Sequence, residues 1–367
     1  MIDINYIIEN RSLLLKKGDD NYAAQIEKMK QSGKDIVIFG AGDAGRLAQE
    51  SLLQQGMEIK FFIDNSPSKW NSIINRKKVL NPDSLRHYSN LLVIICCWDS
   101  EGIYRQLFKL GIKDIEQNFY TAIMARKDRE FFSQHLKEVS ELEQLLSDKK
   151  SRRLLLLLLH SLTLDNHILN SIHEGNQYFF DKEFDIKDDE TIIDAGAFTG
   201  DTVEEIINRF GTIFKTIHCF EPNENNFQKL LNFIAKRKLG AKVITHKLAL
   251  SDKRSTLNFS GSGSGYHLNS INETSEEGVE AVTIDELFKD QPVSFIKMDI
   301  EGAEVMALRG GRSVIQRDKP RLAICVYHFP EHLWEIPKLV KSFVPEYRLF
   351  LRHHTNQRRE TVLYAIV

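Results

Sequence analysis

Thr191-Ile192-Ile193-Asp194-Ala195-Gly196-Ala197-Phe198-Thr199-Gly200-Asp201-Thr202 joins an apolar run to a turn punctuated by two glycines. A short apolar run reads as a buried strand, and the glycines behind it read as a tight turn leading into a helix. Turns of this kind let backbone N–H groups approach a ligand closely. Two carboxylates, Asp194 and Asp201, lie in this one. Asp194 at the strand end would repel a pyrophosphate and welcome an ammonium or sulfonium. That charge sign points to S-adenosylmethionine (SAM) ahead of NAD.

Outward from this turn, apolar runs alternate with helical stretches from Asp188 to the end of the chain. Strands are expected at 191–194, 216–221, 242–247, 293–299 and 321–327, followed by 347–352 and 361–367 around a polar turn near Asn356. A final hairpin after five strand–helix units predicts a mostly parallel sheet with one antiparallel strand. Three of the strands end in an acid. Asp194 ends the first, with Gly196, Ala197, Phe198, Gly200, Asp201 and Thr202 shaping its loop. Glu221, followed by Pro222 and Asn223, lies about 20 residues past Gly200, the spacing at which an acid meets ribose hydroxyls. Asp299 ends the fourth strand. Ala249 and Leu250, just past the third, are expected near an adenine. Open α/β sheets bind ligands at this carboxyl edge.

The segments Asp194–Thr202, Phe220-Glu-Pro-Asn223, Val282-Thr-Ile-Asp-Glu286, Ile296-Lys-Met-Asp-Ile-Glu-Gly-Ala-Glu304 and Ala323–Tyr327 with His328 together resemble the FkbM family of SAM-dependent methyltransferases. The resemblance covers roughly residue 186 to the end. It implies a seven-stranded, Rossmann-like class I methyltransferase domain, SAM as cofactor, and O-methylation of a hydroxyl on a sugar, glycan or nucleotide-linked sugar, as in polysaccharide biosynthesis.

A sugar hydroxyl is a poor nucleophile, so a base or a metal should assist its methylation. His328 follows the fifth strand and is the expected base, with Asp299 and Glu301 as further catalytic residues. Glu301 and Glu304 are expected to open a helix, where acids also serve the helix dipole. A divalent ion held by Asp299, Glu301 and His328 is chemically reasonable, but the sequence does not call for it. Tyr327, His353 and His354 are candidate substrate contacts, the two histidines in the turn between the last strands. A solvated turn is the plain alternative for that pair. Asn176–Phe179 could fold over the cofactor or simply dock the preceding helices, and Trp334 reads as core.

A second glycine turn, Gly40-Ala41-Gly42-Asp43-Ala44-Gly45, follows the apolar run Asp35–Phe39, and Asp64 ends the next run at ribose spacing. With the apolar run 91–97 it predicts a smaller Rossmann-like domain over 1–125 for a nucleotide, NAD or nucleotide-sugar; packing alone is the competing reading. Asp43 counts against tight pyrophosphate binding. A helical connector is expected over 126–185, its stripe of Leu136, Val139, Leu142 and Leu145 serving ordinary packing or a homo-oligomer contact. The methyltransferase domain fills 186–367. Two other functions compete: an NAD-dependent sugar-nucleotide oxidoreductase or epimerase, against which stands the lack of a Tyr-x-x-x-Lys pair, and a non-catalytic SAM- or nucleotide-sensing scaffold, against which stand the acids and histidine around Asp299.

The 367 residues carry a net charge of −2, which offers no electrostatic footing for nucleic acid. The run Leu154–Leu159 falls far short of the ~20 apolar residues a bilayer span needs. Four cysteines sit in apolar runs without metal spacing and read as reduced thiols. No signal peptide is evident at the start, and a cytoplasmic location is expected.

Overall fold

The computed structural model describes residues 19–97, 100–163, 169–260, 267–268, 278–356 and 359–367. The chain divides into two compact units, Met1–His135 with Leu162–Asp165, and Leu136–Ser161 with Asn166–Val367.

The first unit is built on a sheet of β1 (Asp35–Phe39), β2 (Ile59–Ile63), β3 (Ile73–Ile74), β4 (Lys77–Leu80), β5 (Leu91–Ile95) and β6 (Ile115–Glu116), in the order β3-β4-β2-β1-β5-β6. All neighbours pair in parallel except β3 and β4. Alternation along β1 sends Ile36 and Ile38 into one core cluster and Val37 and Phe39 into another. Both faces are therefore covered, which is why the strands read as unbroken apolar runs. Helices α1 (Asp19–Ser32), α2 (Asp43–Gln54) and α4 (Phe119–Gln134) supply one cluster, and α3 (Ser100–Lys109) supplies Ile103 and Leu107 to the other.

The second unit carries β7 (Thr191–Ala195), β8 (Thr216–Phe220), β9 (Val243–His246), β14 (Phe295–Met298), β15 (Arg321–Cys325), β16 (Arg348–His353) and β17 (Thr361–Ile366) in one seven-stranded sheet, ordered β16-β17-β15-β14-β7-β8-β9. Only β17 runs antiparallel to its neighbours. The expected sheet and its final hairpin are thus present. Strand order reverses between β7 and β14, and a crevice opens at the carboxyl ends of strands that part in this way.

The expected connector is not a separate body. Helix α4 belongs to the first unit, while α5 (Leu136–Leu145) and most of α6 (Lys149–Thr163) belong to the second. Val139 and Leu142 of the predicted stripe are buried, and α5 packs on α11 (His332–Phe343). Of the other helices, α7 (Asp201–Phe210), α8 (Glu224–Lys236), α9 (Glu304–Arg309) and α10 (Arg312–Asp318) follow strands of the large sheet.

A small four-stranded sheet lies outside the sequence reading. It joins β10 (Ala249–Leu250), β11 (Ser255–Ser260), β12 (His267–Leu268) and β13 (Gly278–Val282). The run Ser260-Gly-Ser-Gly-Ser-Gly265, whose composition reads as a mobile loop of the kind that often serves as a lid, falls past Ser260 outside the described residues. Among the described residues no helix is long and apolar enough to cross a membrane.

Part of the Val282–Glu286 motif turns out to be architectural. Asp285 accepts hydrogen bonds from Ser313 N (3.0 Å) and Val314 N (2.8 Å), satisfying N–H groups at the start of α10 that have no partner within the helix. Asp285→Ala should therefore lower stability by about 1–2 kcal/mol. Urea unfolding should show an earlier midpoint with an unchanged slope; an unaltered midpoint would remove this role.

Candidate active site at the carboxyl edge of the large sheet

Backbone geometry fixes the Asp194–Asp201 loop first. Gly196 (φ +77°) and Gly200 (φ +97°) occupy the left-handed region, and a Cβ on Gly196 would lie 1.9 Å from Asp299 O. That close approach is what requires glycine there. The N–H groups of Gly196 and Ala197 both donate to Phe220 O at 3.0 Å, tying the loop to β8.

The structure corrects the charge argument made for Asp194. Its side chain is 0% exposed and pairs with Lys297, 3.0 Å away and itself 3% exposed. The two residues face each other in register on β7 and β14. Lys297 also donates to Gly196 O at 2.7 Å. Burial works against the Lys297 charge, but Asp194, Asp299 and Asp201 outweigh it and raise its ammonium pKa. Asp194 is thus a neutralised brace beneath the loop, and the ligand does not meet it as a free charge. Lys297 went unrecognised in the sequence, although a lysine inside an apolar strand is a signal, since buried charges need partners.

Glu221 stands where expected, 6% exposed at the end of β8. Oε2 accepts from Phe198 N (3.0 Å) and Oε1 from Asn223 N (2.9 Å). Burial pushes its carboxyl up to about 7, against those two N–H groups. Phe198, left-handed at φ +46°, presents an aromatic side chain that is 51% exposed beside this acid. Asp201 and Thr202 open α7, and Asn223 caps α8 by accepting from Asn226 N. Ala249 and Leu250 are buried and pair with Ala281 and Val282 in the small sheet.

Across the crevice Asp299 accepts from two tyrosines, Tyr327 OH to Oδ1 (2.9 Å) and Tyr178 OH to Oδ2 (3.3 Å). Tyr178 belongs to the segment suspected of folding over the cofactor, and it reaches the site from a left-handed backbone (φ +67°). Its neighbour Phe179 is core. Sequence reasoning missed Glu360, which lies with Asp299 and Cys325 in one cluster whose ligand atoms are all within 4.8 Å of one another. Gln177 donates to it, and burial followed by the nearby Asp299 raises its carboxyl.

His328 has a side chain only 4% exposed. Nδ1 lies 3.0 Å from Glu304, and Nε2 faces Asp299 Oδ1 at 3.4 Å and Glu301 Oε2 at 3.6 Å. Burial opposes charge on the imidazole, but Glu304, helped by Asp299 and Glu301, outweighs it and lifts His328 to about 9. At neutral pH the expected base is therefore already protonated. Glu304 is 0% exposed and also meets His332 Nδ1 at 3.3 Å. Its other task is to accept from Ile300 N at 2.9 Å. Glu304 does open α9, but Glu301 lies before it in a left-handed turn (φ +55°), contrary to the helical placement expected.

The substrate histidines also move. His353 ends β16 and is 0% exposed, its Nδ1 2.9 Å from Thr361 Oγ1. His354 is half-buried between Glu174 O (3.1 Å) and Tyr364 OH (2.8 Å). The turn is drawn inward because its histidines satisfy buried polar groups. Trp334 is buried in α11, as read.

In the first unit Asp64 is also a brace: Oδ2 accepts from Ala41 N (2.9 Å), Oδ1 from Ser66 N (2.8 Å), and Lys69 donates to Oδ2 (3.0 Å). Burial opposes its charge, but these partners hold its carboxyl below the usual range. Gly40 and Gly45 are required by close contacts with Cys96 O and with each other, whereas Gly42 faces open space at the start of α2.

Residues 194–358 match the methyltransferase FkbM domain, and 32–116 match a family described as C2185-like, N-terminal. No curated protein matches the sequence. In structure the chain is similar to methyltransferase FkbM from Methylobacillus flagellatus KT, with 22% identity, a TM-score of 0.70, and coverage of 99% of this chain and 100% of that one. Weaker similarity extends to Aeropyrum pernix fibrillarin in complex with SAM (12% identity, TM-score 0.32, 50% of this chain and 68% of that one) and to a SAM-dependent methyltransferase from Aquifex aeolicus (16%, 0.32, 51% and 87%). The doubly wound sheet, its glycine turn at the strand-order reversal and the matched sequence coincide over the same stretch, and residues 194–358 of this chain constitute a methyltransferase FkbM domain.

Proposed function

We propose that the second unit binds SAM along the carboxyl ends of β7, β8 and β14 and transfers its methyl group to a hydroxyl of a sugar, glycan or nucleotide-linked sugar. The observation that carries this reading is the placement of Glu221 and Asp299 on opposite sides of the glycine loop. Glu221 has spent one hydrogen bond per oxygen on the backbone, and a carboxylate oxygen can accept more than one, so the ribose hydroxyls find acceptors there. Phe198 offers an apolar face beside them. Asp299, with excess negative charge around it, suits the cationic methionine end.

In the transfer the S–CH3 bond breaks as the O–CH3 bond forms, and the hydroxyl proton leaves to the Asp299–Glu301–His328 group. Positioning supplies most of the rate. Tyr178 and Tyr327 hold Asp299 in one orientation, and Tyr327 lines the acceptor side. His328 serves in its neutral form, which the surrounding carboxylates make scarce at neutral pH. The first unit, in this reading, takes a phosphate of a nucleotide or nucleotide-sugar at the open Gly42 and the N-terminus of α2. The acidic and imidazole groups of the crevice favour an enzyme over a sensing scaffold, and cytoplasmic action accords with the buried thiols at Cys96, Cys219 and Cys325.

Isothermal titration with SAM should show one site, and Glu221→Ala should weaken it by at least about tenfold, the value of one strong hydrogen bond to a charged acceptor. Equal affinity in the variant would sink the ribose assignment. Mass-spectrometric screening of sugars and sugar-nucleotides should then reveal a gain of one methyl group. With an acceptor in hand, His328→Ala should cut turnover by about 100-fold or more while SAM affinity stays nearly constant. Because the folded imidazole loses its proton only near pH 9, kcat/KM should climb from about pH 7 to about pH 9. A flat profile over that range would exclude neutral His328 from the reaction.

A further inference from the structure

We infer that the cluster of Asp299, Glu301 and His328 is a divalent-cation site on the acceptor side of the crevice, with Glu304 bracing the histidine from behind; this rests on the methyl-transfer reading of the same crevice. Three observations carry it. His328 is 4% exposed, and its Nε2 has no hydrogen-bond partner while it points at two carboxylate oxygens, 3.4 Å and 3.6 Å away. Donor atoms that share one cation at about 2.1–2.2 Å stand roughly 3.0–3.6 Å apart, so Nε2 stands at that spacing from each carboxylate; Asp299, Glu304 and His328 already have donor atoms within 4.8 Å of one another, and Glu301 joins the set by rotating toward the ion.

The second observation is the contact on the other ring nitrogen. Nδ1 lies 3.0 Å from Glu304, which is 0% exposed and fixed by Ile300 N. A carboxylate behind a histidine orients the ring and strengthens the opposite nitrogen as a ligand. Glu304 is thus a positioning residue.

The third is the local charge. Asp299, Glu301, Glu304 and Glu360 crowd around one imidazole, and the nearby Lys297 is already paired with Asp194. A divalent ion would offset that excess. Glu301, with a side chain 40% exposed, can swing to complete the set. One imidazole nitrogen with carboxylate oxygens and open positions suits Mn2+ or Mg2+. An acceptor hydroxyl that fills an open position would be acidified by the ion, so that with the ion bound His328 acts as a ligand and the hydroxyl proton leaves to solvent.

The full-length protein titrated with Mn2+ alone, read by electron paramagnetic resonance, should bind one ion per chain, and Mg2+ should displace it. Glu301→Gln, at a half-exposed position that tolerates the change, should weaken Mn2+ by at least about tenfold, and Glu304→Gln by about 10–100-fold. A parallel SAM titration of the same sample separates the claims. SAM binding without saturable Mn2+ binding overturns the cation site and leaves the donor site standing; loss of SAM binding in the wild type overturns the methyl-transfer reading instead. Mn2+ affinity unchanged in Glu301→Gln and in His328→Ala would place the ion elsewhere and also overturn the inference.

Discussion

The buried pair of Asp194 and Lys297 is the constraint on which the site depends. It spans the two strands between which the sheet order reverses, in register and out of reach of water. Lys297 uses its remaining donors on Ala195 O and Gly196 O, so the ammonium that neutralises Asp194 also pins the loop. Removing one partner of such a pair typically costs about 3–5 kcal/mol, because the other charge is left stranded. The loop so fixed passes close enough to Asp299 to leave no room for a Cβ at Gly196. The glycine loop and Asp299 are thus set by one buried contact.

The two units solve the same local problem in the same way. In each, the acid ending the second strand of its sheet accepts an N–H from the glycine loop with one oxygen and an N–H two residues downstream with the other: Asp64 from Ala41 and Ser66, Glu221 from Phe198 and Asn223. They differ in their remaining neighbours. For Asp64 the N–H groups of Ser66 and Ala41, with Lys69 added, outweigh burial and hold it below the usual range, whereas burial outweighs the partners of Glu221 and pushes it to about 7. Glu221 therefore retains capacity for a ligand's hydroxyls, while much of Asp64's is consumed internally. Two glycine turns that look alike in sequence become chemically unequal through the deeper burial of Glu221 and the lysine beside Asp64.

That inequality marks where the sequence was legible and where it was not. Strand positions followed from apolar runs, since a sheet covered on both faces leaves no other pattern. The acids at 194, 221 and 299 fell at strand ends because their runs end there. What a periodic reading cannot supply is which charges meet. Lys297 sits inside a strand and its partner is about 100 residues away, so Asp194 looked like a free charge at the ligand. The histidines at 353 and 354 looked exposed because their turn is polar, yet Thr361, Glu174 and Tyr364 give them buried partners. Glu360 lacked any motif and is made relevant only by the return of β17 beside β15.

Four left-handed residues other than glycine lie at the crevice. Tyr178, Phe198, Glu301 and Glu360 are non-glycine residues with positive φ, at +67°, +46°, +55° and +66°. Such conformations cost of order 1–3 kcal/mol each and persist where the surroundings over-determine them. Here each is tied to the crevice: Tyr178 to Asp299, Phe198 to Glu221, Glu301 to His328, and Glu360 to the Asp299 cluster. A left-handed residue reverses the chain within one step, which lets a loop deliver a long side chain into an edge that regular strands cannot reach. The sheet supplies the fixed acids and the strained loops supply the groups facing them. A crevice with this much negative charge is held together against its own repulsion by His328, by the Lys297 brace beneath it, and by the loops' attachment to rigid strands.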